Sequence, residues 1–100
     1  MNVIHTIRLN GFWTADTSRT PPSFTRRFGM PRMTVTGESA WLVLNGQPEE
    51  IVLNNQSMPF SAVGDCVELP LGMLPARNTL TVRAEIEPSA IIEIRSGVRS

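Results

Sequence analysis

One hundred residues suffice for one domain, in which folding buries roughly two thirds of the surface an unfolded chain exposes, and a second domain is not expected. With 41% hydrophobic and 18% charged residues, the chain can fill a core and lacks the composition of a disordered segment. Nine cations and nine anions cancel, so no net field draws a polyanion or an anionic membrane toward the protein, and neither nucleic acid nor membrane is an expected partner.

All nine cations are arginine, which removes Schiff-base, pyridoxal and phosphate-loop chemistry that needs a lysine amine, and no cofactor is expected. Tyrosine is absent as well. The single cysteine, Cys66, cannot close an internal disulfide. Residues 1–9 carry His5 and Arg8 and lack the apolar run of a signal peptide, so the expected compartment leans toward the cytoplasm. No stretch approaches the ~20 apolar residues a membrane helix needs.

In chain order, Val3, His5, Ile7 and Leu9 share one face of an opening strand that the turn pair Asn10-Gly11 ends. Trp13 then opens a polar stretch, and residues 16–22, closing on Pro21-Pro22, read as a surface loop. Strands are expected at 24–28 and 33–36, separated by Gly29 and Pro31. The nearly all-apolar run Ala40 to Leu44 reads as an interior strand with Trp41 in the core. Asn45-Gly46 follows directly and predicts a tight hairpin into a strand at 51–53, with Pro48 making that arm an edge strand or confining its pairing to residues past the proline.

A strand at 67–71 follows Gly64-Asp65. The clearest is 79–86, where Leu80, Val82, Ala84 and Ile86 alternate with Thr79, Thr81, Arg83 and Glu85, the period of two that sets one face on a core. A last strand is expected at 90–95. Eight short strands in this length predict an all-β antiparallel sandwich or jelly roll, a single domain over residues 1–100.

Catalytic chemistry finds little support. The acids fall mostly at turns or on the polar phase of strands, and Glu49-Glu50 would point to opposite faces if extended. His5, the only imidazole, lies on the apolar phase of its strand and reads as a partly buried histidine rather than a triad member. One Cys and one His in distant strands give zinc little to build on; calcium held by side-chain and backbone oxygens stays open, although no cluster of aspartates demands it, and no metal ligand is assigned. Asp65 and Glu68 around Cys66 disfavour a reactive thiolate. Alternation splits the pair Arg26-Arg27 between two faces, which favours a solvated edge over a phosphate site.

Taken in order, Ile7 to Trp13, Phe24-Thr25-Arg26-Arg27-Phe28-Gly29-Met30-Pro31, Ala40 to Gly46, Pro59-Phe60, Cys66-Val67-Glu68-Leu69 and Ala76 to Arg83 form a series. It resembles that of the sugar-binding jelly-roll domain of glycoside hydrolase family 2, within the galactose-binding-like fold. The resemblance covers most of the chain, to about Ile86, with Cys66-Val67-Glu68 standing where the family has Asp-Val-Thr. In that family a separate barrel supplies the catalytic carboxylates, so the resemblance implies a non-catalytic module.

A saccharide is then the first ligand class, because a pyranose stacks its C–H face on an aromatic ring while amides and other planar polar groups take the hydroxyls. Trp13, at the start of its polar stretch, and Asn54 and Asn55, after the expected hairpin, are the candidate ligand contacts. The alternative is a structural or protein-interaction domain that kept the fold and lost the site. It would pair through an edge strand such as 51–53 and would bury Trp13.

Overall fold

The computed structural model describes residues 2–30, 37–72 and 74–96, and among them the chain folds as an antiparallel two-sheet β-sandwich. The strands are β1 (Asn2–Arg8), β2 (Thr14–Asp16), β3 (Ser23–Gly29), β4 (Glu38–Asn45), β5 (Glu50–Leu53), β6 (Gln56–Ser57), β7 (Ala62–Val63), β8 (Cys66–Pro70), β9 (Arg77–Arg83) and β10 (Ser89–Ser96). One sheet, A, has the order β1-β10-β4-β8-β7 and the other, B, the order β2-β3-β9-β5-β6. The strand expected at 33–36 lies outside the described residues.

Period-two alternation decides which side chains face inward. In β4, Ala40, Leu42 and Leu44 are buried while Trp41 and Val43 between them are half-exposed. In β9, Asn78, Leu80 and Val82 are buried and Arg77 and Thr79 exposed. In β10 the inward set is Ala90, Ile92 and Ile94. The buried apolar residues among these, with Leu9, Phe28, Ile51, Leu53, Val67 and Leu69, form one core between the sheets, the arrangement expected when two inner faces interdigitate.

Five expectations are corrected. Asn45-Gly46 does not close a hairpin: β4 pairs with β10 and β8 in sheet A, whereas β5 pairs with β9 and β6 in sheet B, so residues 46–49 cross from one sheet to the other. The Gly46 amide donates to the Asp65 carbonyl at 2.7 Å, which ties this crossing to the Gly64-Asp65 turn between β7 and β8. The run 51–53 is not an edge strand, since β6 and β9 flank it, and its pairing does begin past Pro48.

Trp41 is not core but lies on the outward phase of β4. His5 is exposed although it keeps the inward phase, pairing with Ile94 as Ile7 pairs with Ile92, because β1 is the edge strand of sheet A; the β-bulge between Val3 and His5 moves only Val3 to the other phase, opposite Arg95. The clearest strand holds its phase through Ala84, but β9 ends at Arg83, and Ile86 is 75% exposed in the bend beyond it.

Candidate functional site

The segment from Leu9 to Trp13 joins β1 in sheet A to β2 in sheet B, and it is fixed at both ends. Leu9 is fully buried and its amide donates to the Ala90 carbonyl at 3.0 Å. The Asn10 Oδ1 accepts from the Ala90 amide and the Ser89 hydroxyl, both at 3.2 Å. At the other end Trp13 packs against the core, with its indole N–H buried and without a partner.

Between these anchors the backbone takes two successive left-handed residues, Gly11 at φ +80° and Phe12 at φ +59°. Glycine does this freely, whereas a phenylalanine is strained there by on the order of 1 kcal/mol. Arg26, on the inward phase of β3 beyond the end of β2, braces the turn: its Nε donates to the Gly11 carbonyl at 3.1 Å and its Nη1 to the Arg27 carbonyl at 2.8 Å. The outcome is an aromatic ring 92% exposed on a held backbone.

Phe12 stands at the rim of a polar sheet face. The register aligns Thr14 with Thr25, Thr25 with Thr81, Thr81 with Val52 and Val52 with Ser57, so one row crosses all five strands of sheet B with four hydroxyls. The Thr25 and Thr81 hydroxyls are hydrogen-bonded to each other at 3.1 Å, an inter-strand pair of the kind that holds a sheet face rigid. Phe12, Thr14, Thr25 and Arg27 line an open hollow of about 540 Å³.

A second hollow of about 520 Å³ adjoins it, lined by Arg27, Phe28, Gly29, Arg77, Asn78 and Thr79. Arg27 lines both. Hydroxyls, guanidinium groups and one aromatic ring on a rigid support supply hydrogen bonds and a stacking surface, which suits recognition of a polar, ring-shaped ligand.

The three residues singled out from sequence take other places. Trp13 is turned inward, and Asn54 and Asn55 form the β5–β6 turn near the opposite edge of sheet B, three strand spacings from β2, or about 14 Å. Asn54 and Asn55 have φ of +50° and +66°, the pair of left-handed residues a two-residue hairpin demands. The Asn54 side chain is engaged in the fold: its Nδ2 donates to Asn78 Oδ1 at 3.0 Å and its Oδ1 accepts from the Thr79 amide at 2.8 Å. The buried Asn78 in turn donates to the Pro75 carbonyl at 3.0 Å.

Sequence reasoning passed over Phe12. No periodic signal marks it, because Phe12 lies in the turn before β2, with φ +59°, where strand alternation does not apply. Of the two rings, Trp13 packs against the core and Phe12 is the exposed one.

Among the described residues, no group of three or more His, Cys, Asp and Glu is placed to hold a metal ion. Cys66 is a half-buried free thiol. Comparison with protein-family models, with curated proteins and with solved structures returned no match.

Proposed function

We propose that the chain is a non-catalytic binding module that takes a carbohydrate on the outer face of sheet B, with Phe12 as the stacking ring and Thr14, Thr25 and Arg27 as hydrogen-bonding partners. The observation that carries this reading is Phe12 itself, almost fully exposed and held in a left-handed conformation on an anchored turn beside a row of hydroxyls. Strain of this kind at an exposed apolar residue does nothing for stability and concentrates at ligand-contact positions. The two-sheet sandwich agrees with the resemblance to the sugar-binding domain of glycoside hydrolase family 2, which supplies the ligand class.

The test is a titration of isotope-labelled protein with a panel of neutral and acidic oligosaccharides, followed by amide shifts. Binding should perturb Phe12, Thr14, Thr25 and Arg27, and Phe12→Ala should weaken it about tenfold, the ~1.4 kcal/mol within the range of one aromatic contact. Absence of saccharide binding at millimolar concentration removes the carbohydrate reading.

A second reading, a protein-interaction domain that has lost a ligand site, draws on the inward packing of Trp13. Under it, Phe12 anchors a protein partner or a second copy, and light scattering across concentration would show self-association that Phe12→Ala abolishes.

A further inference from the structure

Arg27 and Arg77 lie on the outward phase of β3 and β9, where Arg27 pairs with Thr79 and Gly29 with Arg77. The two arginines are therefore diagonal neighbours on one face, with backbones about 7–8 Å apart. Both side chains are exposed, and among the described residues neither guanidinium has a carboxylate within ion-pair range. Two like charges at this spacing repel, and among the described residues no carboxylate pairs with either to offset it.

Gly29 completes the arrangement. Its φ is not left-handed, and a Cβ there would meet only the Ala76 carbonyl at 3.4 Å, an ordinary contact. Neither strain nor crowding accounts for a glycine in this strand, where it costs conformational entropy. Without a side chain, Gly29 adds no bulk to the 520 Å³ hollow that it lines with Arg27 and Arg77.

We infer that Arg27 and Arg77 form an anion subsite, built over Gly29, that takes a carboxylate or sulfate carried on a saccharide whose ring rests at Phe12. This rests on the carbohydrate reading above and names the class: acidic rather than neutral sugars. The guanidinium fork binds a planar or tetrahedral oxyanion through paired N–H donors, and Thr79 lines the same hollow. Arg27 couples the subsite to the Phe12 hollow, since it lines both.

The experiment compares oligogalacturonate, a sulfated galactan oligosaccharide, the neutral galactan of equal length and sodium sulfate as ligands of the full chain. The acidic sugars should bind about tenfold more tightly than the neutral one, a margin two charge-assisted hydrogen bonds easily supply, and raised salt should shrink it. The margin should vanish in Arg27→Gln and Arg77→Gln and also in Gly29→Val, which fills the hollow without removing charge. Whether carboxylate or sulfate is preferred follows from the two acidic arms.

Equal binding of neutral and acidic sugars, unchanged in the arginine variants, would overturn the anion subsite and leave the carbohydrate reading intact. Sulfate shifting the Gly29 and Thr79 amides while no saccharide binds would overturn both the carbohydrate reading and the ligand class named here. Circular dichroism of each variant separates a lost site from a lost fold.

Discussion

The Arg95 guanidinium stands 4.7 Å from the centre of the Trp41 ring. Arg95 begins on β10 opposite Ser39 and crosses the outer face of sheet A to Glu68 on β8, a residue paired with Val43 two positions beyond Trp41. On the way its Nε and Nη2 donate to Glu93 Oε1 at 3.0 and 2.7 Å, and its pKa is raised chiefly by the bond to Glu68. The Trp41 indole N–H donates to the Ser39 hydroxyl at 2.9 Å. A tryptophan on the outward phase is thus shielded by a long-range arginine rather than by the core.

This geometry predicts the effect of Arg95→Ala. The variant should uncover the indole, shifting its fluorescence to longer wavelength and raising quenching by acrylamide, and should destabilise the fold by about 1–2 kcal/mol from lost cation–π contact and packing. A double-mutant cycle with Trp41→Ala should give a coupling near 0.5–1 kcal/mol. A coupling of zero would show that the arginine lies over the ring without energetic consequence.

How much of this was legible follows from which residues carried an unambiguous pattern. In residues 79–84 apolar and polar residues alternate, so period and face could both be read, and Leu80, Val82 and Ala84 are buried as that phase requires. In residues 40–44 both phases are apolar. The strand was readable and its inward face was not, because what covers Trp41 is Arg95, more than fifty residues away. Asn45-Gly46 is a sound local turn signal, yet a turn does not state which sheet the next strand joins. That depends on the Gly46 bond to Asp65 and on the pairing of β5 with β9, both non-local. The hydroxyl row and the Arg27–Arg77 diagonal exist only through register, which no segment read alone contains.

The Asn54-Asn55 turn gives a sharper stability test. Asn54→Ala loses a side chain that satisfies Asn78 and the Thr79 amide, and forces alanine into a left-handed conformation. It should cost about 2–3 kcal/mol, the sum of an unpaired buried amide and backbone strain. Asn54→Gly keeps the backbone and should cost less. Asn55→Gly creates the preferred Asn-Gly hairpin pair and should be neutral or stabilising by a few tenths of a kcal/mol. Denaturant midpoints for the three variants check the order, and saccharide affinity should be unchanged in Asn55→Gly, since Asn55 lines neither hollow.

Asp16, at the end of β2, supplies a pH prediction. Its Oδ1 accepts from the Ser18 hydroxyl at 2.6 Å and the Ser18 amide at 3.0 Å, and these bonds hold its pKa below the ordinary 3.8, the hydroxyl contributing most. A carboxyl depressed in the folded state adds stability that is complete above its unfolded value and lost as pH falls through the folded one. The order of the residue 16–18 turn should therefore persist unchanged above pH 3.8 and loosen only below it. A carbon-detected carboxyl titration should place the Asp16 midpoint under 3.8, and Ser18→Ala should move it back up without restoring it fully, because the amide bond remains.

Phe12→Gly sets stability and binding in opposition. Glycine adopts φ +59° without penalty, and the phenyl ring, being 92% exposed, contributes almost no burial that its removal could forfeit. The substitution should therefore raise stability, by up to about 1 kcal/mol as the strain is relieved, less the greater entropy glycine gives the unfolded chain. Phe12→Ala retains the strain and should leave stability within about 0.5 kcal/mol of the parent. Both variants should lose saccharide affinity to the same degree, since both remove the ring. Stability gained with affinity lost is the outcome that the proposed stacking role of Phe12 requires. Loss of stability in Phe12→Gly with affinity retained would instead make Phe12 a structural residue.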